Sequence, residues 1–413
     1  MQYHAAGFTL CRKFTNRRTM PCTPADNLPR PDAASFEHSA RVADHIRRRM
    51  DDSGGSLGFA EYMQEALYAP GLGYYSAGAA KFGGGGDFVT APEISPLFGR
   101  VLGRQCAEVL RTLPGGGILE LGAGTGRLSV ELLRSFSAAG TEAGRYVILE
   151  VSPELADRQR KLIRCEVPEM LPRVEWADRL PQRFTGIVVA NEVADALPVE
   201  RFVKRAGRVV QLRVKAHGRT FAWCEAPAPE YLEQCVLDIE QPLPAPLPDG
   251  YVSEVSTGLP GWIGQLAGCL EHGLVLLIDY GVPRREYYAP DRSGGWLRCH
   301  FRHRVHDDPL ILPGIQDLTA WVDFTAVATA ASEAGLRVSG FVTQSRLLLD
   351  GGLEQELAGF ERLPTAAQIE MSRQVRILTM PGEMGEHCKC IGLARGSLHM
   401  PVALCLGDRA HSL

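Results

Sequence analysis

Glu120, Gly122, Gly124 and Gly126 stand at alternate positions in the stretch from Ile118 to Leu128, and that spacing points to chemistry. Ile118 to Leu121 reads as an apolar strand running into a tight turn, with a helix predicted to begin near Leu128. Lacking a Cβ, the glycines let the backbone turn sharply and approach a ligand closely. The helix behind them offers unpaired N–H groups and the positive end of its dipole. A dinucleotide would want G-x-G-x-x-G, but the third glycine comes one residue early and Arg127 stands where that pattern needs glycine. Glu120 would repel a pyrophosphate, yet it can accept hydrogen bonds from a cationic amino-acid moiety. A plain structural glycine turn is the alternative.

E-x-G-x-G-x-G resembles motif I of the class I S-adenosylmethionine (SAM) methyltransferases. Other polar residues fall where such a ligand would meet them. Glu150 closes the strand Tyr146 to Glu150, where a carboxylate can accept both ribose hydroxyls; a solvated strand-end acid is the alternative. Asp178 follows a third strand, Val174 to Asp178, and could accept from an adenine amino group. A fourth strand, Gly186 to Ala190, runs into Asn191, Glu192 and Asp195, a position that faces the methyl donor. Asn191 could fix a substrate through its amide, and Glu192 and Asp195 could bind a guanidinium or ammonium, since Arg–carboxylate pairs are bidentate. Helix N-capping by Asn191, with acids favouring a first turn, is the bland alternative.

These residues need a scaffold. The 413 residues, 45% hydrophobic and 22% charged, suit a large core domain with an insertion or second lobe. Apolar runs ending at Glu120, Glu150, Val174, Asn191 and Asp279 alternate with helical segments, so the fold class is α/β, a Rossmann-like parallel sheet with helices on both faces. The boundaries that follow are a flexible segment 1–34, an N-terminal helical region 35–114, the first half of the core 115–199, an insertion lobe 200–272, the second half 273–396 and a tail 397–413. Helices are expected over Ser35 to Met50, Phe59 to Tyr68 and from Ser95-Pro96 to about Leu113. Between the last two, four glycines at 83–86 precede Asp87, Thr90, Pro92 and Glu93, a crowding of aromatic and acidic residues that linkers lack, and we read a ligand-covering loop. Residues 200–226 alternate with period two, an antiparallel insertion. The stretch 281–318 reads as a long irregular loop, followed by a helix from Thr319 to Ala334, and strands at Leu336 to Thr343 and Cys388 to Ala394.

Composition excludes other classes. A net charge of −4 argues against a general nucleic-acid binder, and no run of about twenty apolar residues spans a membrane. The 11 cysteines are irregularly spaced, as reduced thiols of an intracellular protein are. His300, His303 and His306 have a metal-like spacing, but Arg302 and Arg304 would repel a cation, and no metal is assigned. The basic, acid-poor start with Arg12, Lys13, Arg17 and Arg18 is read as an extended tail of a cytoplasmic protein, with a mitochondrial transit peptide and matrix location as the alternative.

Taken together, the motifs resemble the MidA/NDUFAF7 family of SAM-dependent methyltransferases over nearly the whole chain after about residue 55. The resemblance rests on Phe59 to Met63, Gly71 to Tyr75, Gly86 to Ser95, Glu120 to Gly124, Glu150-Val151-Ser152-Pro153, Asn191-Glu192 with Asp195 to Val199, Asp279-Tyr280-Gly281, and Asp317 to Ala320 with Val322-Asp323-Phe324. It implies SAM as cofactor, with S-adenosylhomocysteine as product, held by Gly86, Asp87, Thr90, Pro92, Glu93, Glu120, Gly122, Gly124, Gly126, Glu150, Val151, Asp178 and Asn191. Glu192, Asn191 and Asp195 are the candidate catalytic residues. For mitochondrial members it implies a protein arginine methyltransferase that forms symmetric dimethylarginine on a respiratory complex I subunit during assembly. The chain departs from the family in Ala123 and Thr125, where many relatives have Pro and Arg, and in Trp321, where the family often has His. The rival readings are a methyltransferase of small molecules and a non-catalytic assembly factor that keeps the fold; the oligomeric state stays open, a homodimer included.

Overall fold

The computed structural model describes residues 28–77, 90–138, 140 and 144–413. It opens with α1 (Ala33–Asp52), β1 (Ser56–Gly58) and α2 (Phe59–Tyr68). Each helix starts on a group that satisfies an otherwise orphaned donor: Asp32 accepts from Ser35 N at 2.9 Å, and Glu61 reaches back to Gly58 N at 2.8 Å. Their apolar stripes face one core, Val42, Ile46 and Met50 from α1, Phe59, Tyr62 and Met63 from α2. The described chain resumes before a single helical turn, α3 (Ala91–Ile94), and Ser95 then caps α4 (Pro96–Arg111), whose first residue is proline.

Strands and helices alternate from there: β2 (Gly117–Leu121), α5 (Arg127–Ala138), β3 (Tyr146–Leu149), α6 (Pro153–Glu166), β4 (Val174–Ala177) and β5 (Phe184–Asn191). The chain then leaves the core through β6 (Glu200–Arg205), β7 (Arg208–His217), β8 (Thr220–Pro227), α7 (Glu230–Glu240) and β9 (Val252–Val255). It returns by α8 (Leu259–Cys269) and the long β10 (Leu270–Val282). After α9 (Arg284–Tyr287) come β11 (Leu297–Phe301), β12 (Arg304–His306), β13 (Asp317–Ala320), β14 (Val322–Asp323), α10 (Phe324–Glu333), β15 (Arg337–Thr343) and β16 (Cys388–Arg395).

The central sheet runs β15-β16-β10-β5-β2-β3-β4, with β14 extending it beside the end of β10. All pairs from β10 to β4 are parallel, and β16 is antiparallel to both neighbours. Because the order reverses between β2 and β5, a crevice opens beyond their C-terminal ends. Alternate side chains enter two cores. Ile118, Ile187, Val189 and Leu276 pack toward α4 and α5, while Leu119, Val188, Ala190 and Leu277 pack toward α8 and α10. α8 thus belongs to the core layer although it falls within residues 200–272. The other lobe sheet, β1-β7-β6-β9 with β8 beside β7, takes a strand from the N-terminal hairpin and four from the insertion.

Two expectations are corrected. Residues 281–318 are not an irregular loop: they contain α9 and a small antiparallel sheet, β12-β11-β13. Strands of three to five residues give too few alternations for periodicity to reveal them. The helix expected from Thr319 starts only at Phe324, because Asp323 is its cap, accepting from Thr325 N at 3.0 Å and Ala326 N at 3.2 Å. The residues before it pair as β13 and β14. Burial on β11 holds the His300 imidazole down to about 4. Among the described residues no group of three or more His, Cys, Asp or Glu side chains is placed to hold a metal, and no helix is long and apolar enough to cross a membrane.

Close approach fixes one part of the sheet. Gly117, Gly186 and Gly273 lie abreast on β2, β5 and β10. A Cβ on Gly186 would sit 2.0 Å from the Gly117 carbonyl oxygen. Its φ of +145° is also a conformation that side chains avoid. Gly186→Ala must push β2 and β5 apart, and we expect it to lower stability by about 4 kcal/mol or more, read as a collapse of the urea midpoint.

Candidate active site

The turn between β2 and α5 carries three left-handed residues, Gly122 at φ +60°, Gly124 at +53° and Gly126 at +87°. Only glycine takes such a series without strain. Beneath it Glu120 is 2% exposed, and its Oε2 accepts from Ser129 Oγ and Tyr146 OH, both at 2.5 Å. Burial pushes this carboxyl up to about 7, against the opposing pull of those hydroxyls. Its Oε2 is engaged by α5 and β3, so the direct role expected for Glu120 narrows to Oε1.

Glu150 stands just past β3, half-buried, where Oε1 accepts from Ser152 N at 2.9 Å and Oε2 from Gln159 Nε2 at 3.0 Å. Gln159 is the centre of this corner. Its Nε2 also donates to the Gly124 carbonyl at 2.9 Å, and its Oε1 accepts from Trp176 Nε1 at 2.9 Å. One fully buried amide on α6 therefore ties the glycine turn, the strand-end acid and β4 together. Nothing local marks it out, since a glutamine on a charged amphipathic helix reads as solvent-facing. Asp178 lies exposed beyond β4, whose end is held beside Glu150 by a bond from Glu150 N to the Ala177 carbonyl at 2.9 Å. The Val151 side chain is 67% exposed and contributes no buried wall.

Thr90, Pro92 and Glu93 are half-buried around α3, while Gly86 and Asp87 lie outside the described residues. Glu93 accepts a hydrogen bond from Thr125 Oγ1 in the glycine turn, and Ala91 N donates to Glu192 Oε1 at 3.2 Å. A single helical turn thus bridges the two halves of the crevice.

Carboxylates gather on the far side. Asn191 ends β5 and does not cap a helix; the turn after it is organised by Asp279 at the end of β10. Asp279 Oδ2 accepts from Val193 N at 3.1 Å, Ala194 N at 2.8 Å and Asp195 N at 3.2 Å, and Oδ1 accepts from Tyr280 N at 2.9 Å. Even with four backbone donors, burial pushes Asp279 up to about 7. Sequence reasoning placed Asp279 at a strand end without giving it this task. Glu192 sits at φ +53°, uncommon for a residue with a side chain, and Asn191 Nδ2 donates to its Oε1 at 3.2 Å. Burial raises Glu192 to about 8. Asp195 is also pushed up, first by burial and then by the like charges of Asp279, Asp317 and Glu192. Asp317 accepts from Tyr75 OH at 2.9 Å, and Tyr68 OH donates to the Ala196 carbonyl at 2.9 Å, so the N-terminal hairpin walls the pit.

The residues fit SAM. The turn brings three glycines that let a ligand approach the backbone, Glu150 is a half-buried carboxylate one strand away, and among the described residues Asn191 Oδ1 is a buried acceptor with no hydrogen-bond partner, which a ligand donor would satisfy.

Known proteins agree with this geometry. Residues 101–342 match the model of a family of S-adenosyl-L-methionine-dependent methyltransferases. The chain is 30% identical to the Drosophila melanogaster mitochondrial protein arginine methyltransferase NDUFAF7 homolog, over 91% of each chain. It is 29% identical to the Mus musculus protein, over 81% of this chain and 80% of that one. A Burkholderia thailandensis protein crystallised with S-adenosyl-homocysteine superposes with a TM-score of 0.87 at 37% identity, covering 94% of this chain and all of that one. The chain belongs to the MidA/NDUFAF7 family of SAM-dependent methyltransferases, and SAM is its cofactor.

Proposed function

We propose that this methyltransferase acts on arginine in a protein, of the kind presented by a respiratory complex I subunit. The observation that carries the reading is the burial of Glu192, Asp195 and Asp279 together at the ends of β5 and β10, each driven toward its neutral form. Buried carboxylates that raise one another's proton affinity favour a cationic guest, and a planar guanidinium can satisfy several of them at once. The names of the curated relatives support the same acceptor. Such a reaction belongs to the cytoplasm in a bacterium and to the matrix in a mitochondrion.

Bound SAM supplies an electrophilic methyl on a sulfonium. The protein's part is to hold and align. The glycine turn, Glu150 and Asn191 fix the donor side, with Gln159 locking the corner between them. Glu192 accepts paired N–H bonds from the guanidinium, keeps its positive charge on the nitrogens facing the carboxylate, and leaves another nitrogen free to attack in line. Glu192 gives up its own proton when the guanidinium binds, because the adjacent positive charge favours the carboxylate, and it is then free to take the one proton that N-methylation releases. α3, bonded to both sides, keeps water out.

The test is mass spectrometry of a proteome incubated with this protein and methyl-deuterated SAM. Labelled methylarginine in a protein is the expected result, and the spectra give the number of methyls added. Label confined to small metabolites would replace this reading with the small-molecule one. Calorimetry that showed no SAM binding would leave a non-catalytic assembly factor.

A further inference from the structure

The inward face of α6 is apolar except at its centre. Ala156 and Ile163 are buried there, and Gln159, between them, is fully buried as well. Packing alone would be served by leucine, since a buried amide costs stability unless its polar groups are bonded. Here they all are. Trp176 Nε1 can only donate, so the Gln159 atom that meets it at 2.9 Å is the carbonyl oxygen, and this fixes which way the amide points. The two Nε2 protons then go to the Gly124 carbonyl at 2.9 Å and to Glu150 Oε2 at 3.0 Å. Room for this comes from the third glycine of the turn. A Cβ on Gly126 would lie 3.3 Å from Gln159 Cγ and 3.4 Å from its Cα, so a bare backbone there seats α6 against the turn. Glu150 is held at both ends of its carboxylate, Oε1 by Ser152 N and Oε2 by Gln159. A carboxylate has about four acceptor sites, so each oxygen can accept once more, and a vicinal diol brings two O–H donors.

We infer that Gln159 is a positioning residue for the cofactor's sugar: it fixes the Glu150 carboxylate in the orientation that meets both ribose hydroxyls, and so sets how strongly the site prefers SAM's ribose over a sugar that lacks them. The inference rests on the ribose role of Glu150. With two anchors the plane of the carboxylate is set before the ligand arrives, and little side-chain freedom is lost on binding. Without Gln159 a single anchor remains, and the half-buried side chain can swing about its bond to Ser152 N. It would still carry its charge but would no longer be set for the diol. A merely structural amide would weaken all ligands of the crevice alike. One that acts through Glu150 weakens most those whose sugar carries the hydroxyls.

The experiment measures the binding of S-adenosylhomocysteine and of its 2′,3′-dideoxy analogue to the full chain by calorimetry. The wild type should bind the parent compound roughly 100-fold more tightly, since hydrogen bonds to a charged group are the strong ones. Gln159→Leu should weaken the parent about 30-fold and the analogue about threefold at most, so that the preference shrinks about tenfold. Trp176→Phe, at a half-buried position, removes only the indole donor that orients the amide and should shrink the preference about threefold. Melting curves report the fold of both variants, and Trp176→Phe carries the test if the Leu variant does not fold. An equal loss for both ligands, or a preference left intact in the folded variants, would overturn the inference while leaving Glu150 on the ribose. A wild type that bound the two ligands alike would instead remove the Glu150 reading, and the inference with it.

Discussion

Glu192→Gln lowers the rate of methyl transfer by roughly 10³-fold or more, with SAM affinity within a factor of a few of the wild type. The amide keeps the size of the side chain, and its oxygen still accepts from Ala91 N, so the contact between α3 and β5 survives. What is lost is the paired acceptor for a guanidinium and the site that takes its proton. Single-turnover kinetics and calorimetry separate the two outcomes, and a variant that no longer binds SAM would refute the assignment. Two pH signatures follow. In the free enzyme the Glu192 carboxyl is neutral below about 8, so kcat/KM should rise with pH up to that region and then flatten; the profile should flatten in the Gln variant's residual activity. The stability effect has a definite sign. A folded carboxyl that binds its proton more tightly than the ordinary 4.5 of the unfolded chain keeps that proton while the unfolded chain loses it. Stability therefore falls as pH rises from about 4.5 through about 8. Glu192→Gln has no such group, so its melting temperature relative to wild type should rise across that window and level off above it.

The alternation of apolar strands with helices, the glycine turn and the acids at strand ends were legible because each has a short-range signature. Ile118 to Leu121 is apolar, its turn needs glycine, and Glu150 follows the next apolar run at once. Phe59 to Tyr68 was read to the residue because Pro70-Gly71 stop it and its stripe has helical spacing. What escaped was set by contacts distant in sequence. Asp279 binds three amides from residues 193–195, more than eighty positions away, and nothing local distinguishes it from any strand-end acid. Gln159 joins Gly124 and Glu150 only because α6 folds back over β3. β13 and β14 hid inside an apolar stretch that also suits a helix, and only the cap on Asp323 decides where the helix begins.

Gly124→Val is expected to be the mirror of Glu192→Gln, weakening SAM binding by about 100-fold or more while the chain stays folded. Two effects act at this residue. A β-branched side chain at φ +53° is strained, and its branches would fill the surface that the turn leaves bare for a ligand. Strain alone would also loosen the hold of Gln159 on the Gly124 carbonyl and so lower stability. Gly207→Val separates the two effects. Gly207 lies in the β6–β7 hairpin at φ +78°, and an added Cβ there meets nothing within 4 Å. That variant should lose stability, about 1–3 kcal/mol as backbone strain requires, and bind SAM normally. If Gly124→Val lost stability to a similar extent but bound SAM as the wild type does, the turn would be a structural corner, and the cofactor would lie elsewhere along the strand ends.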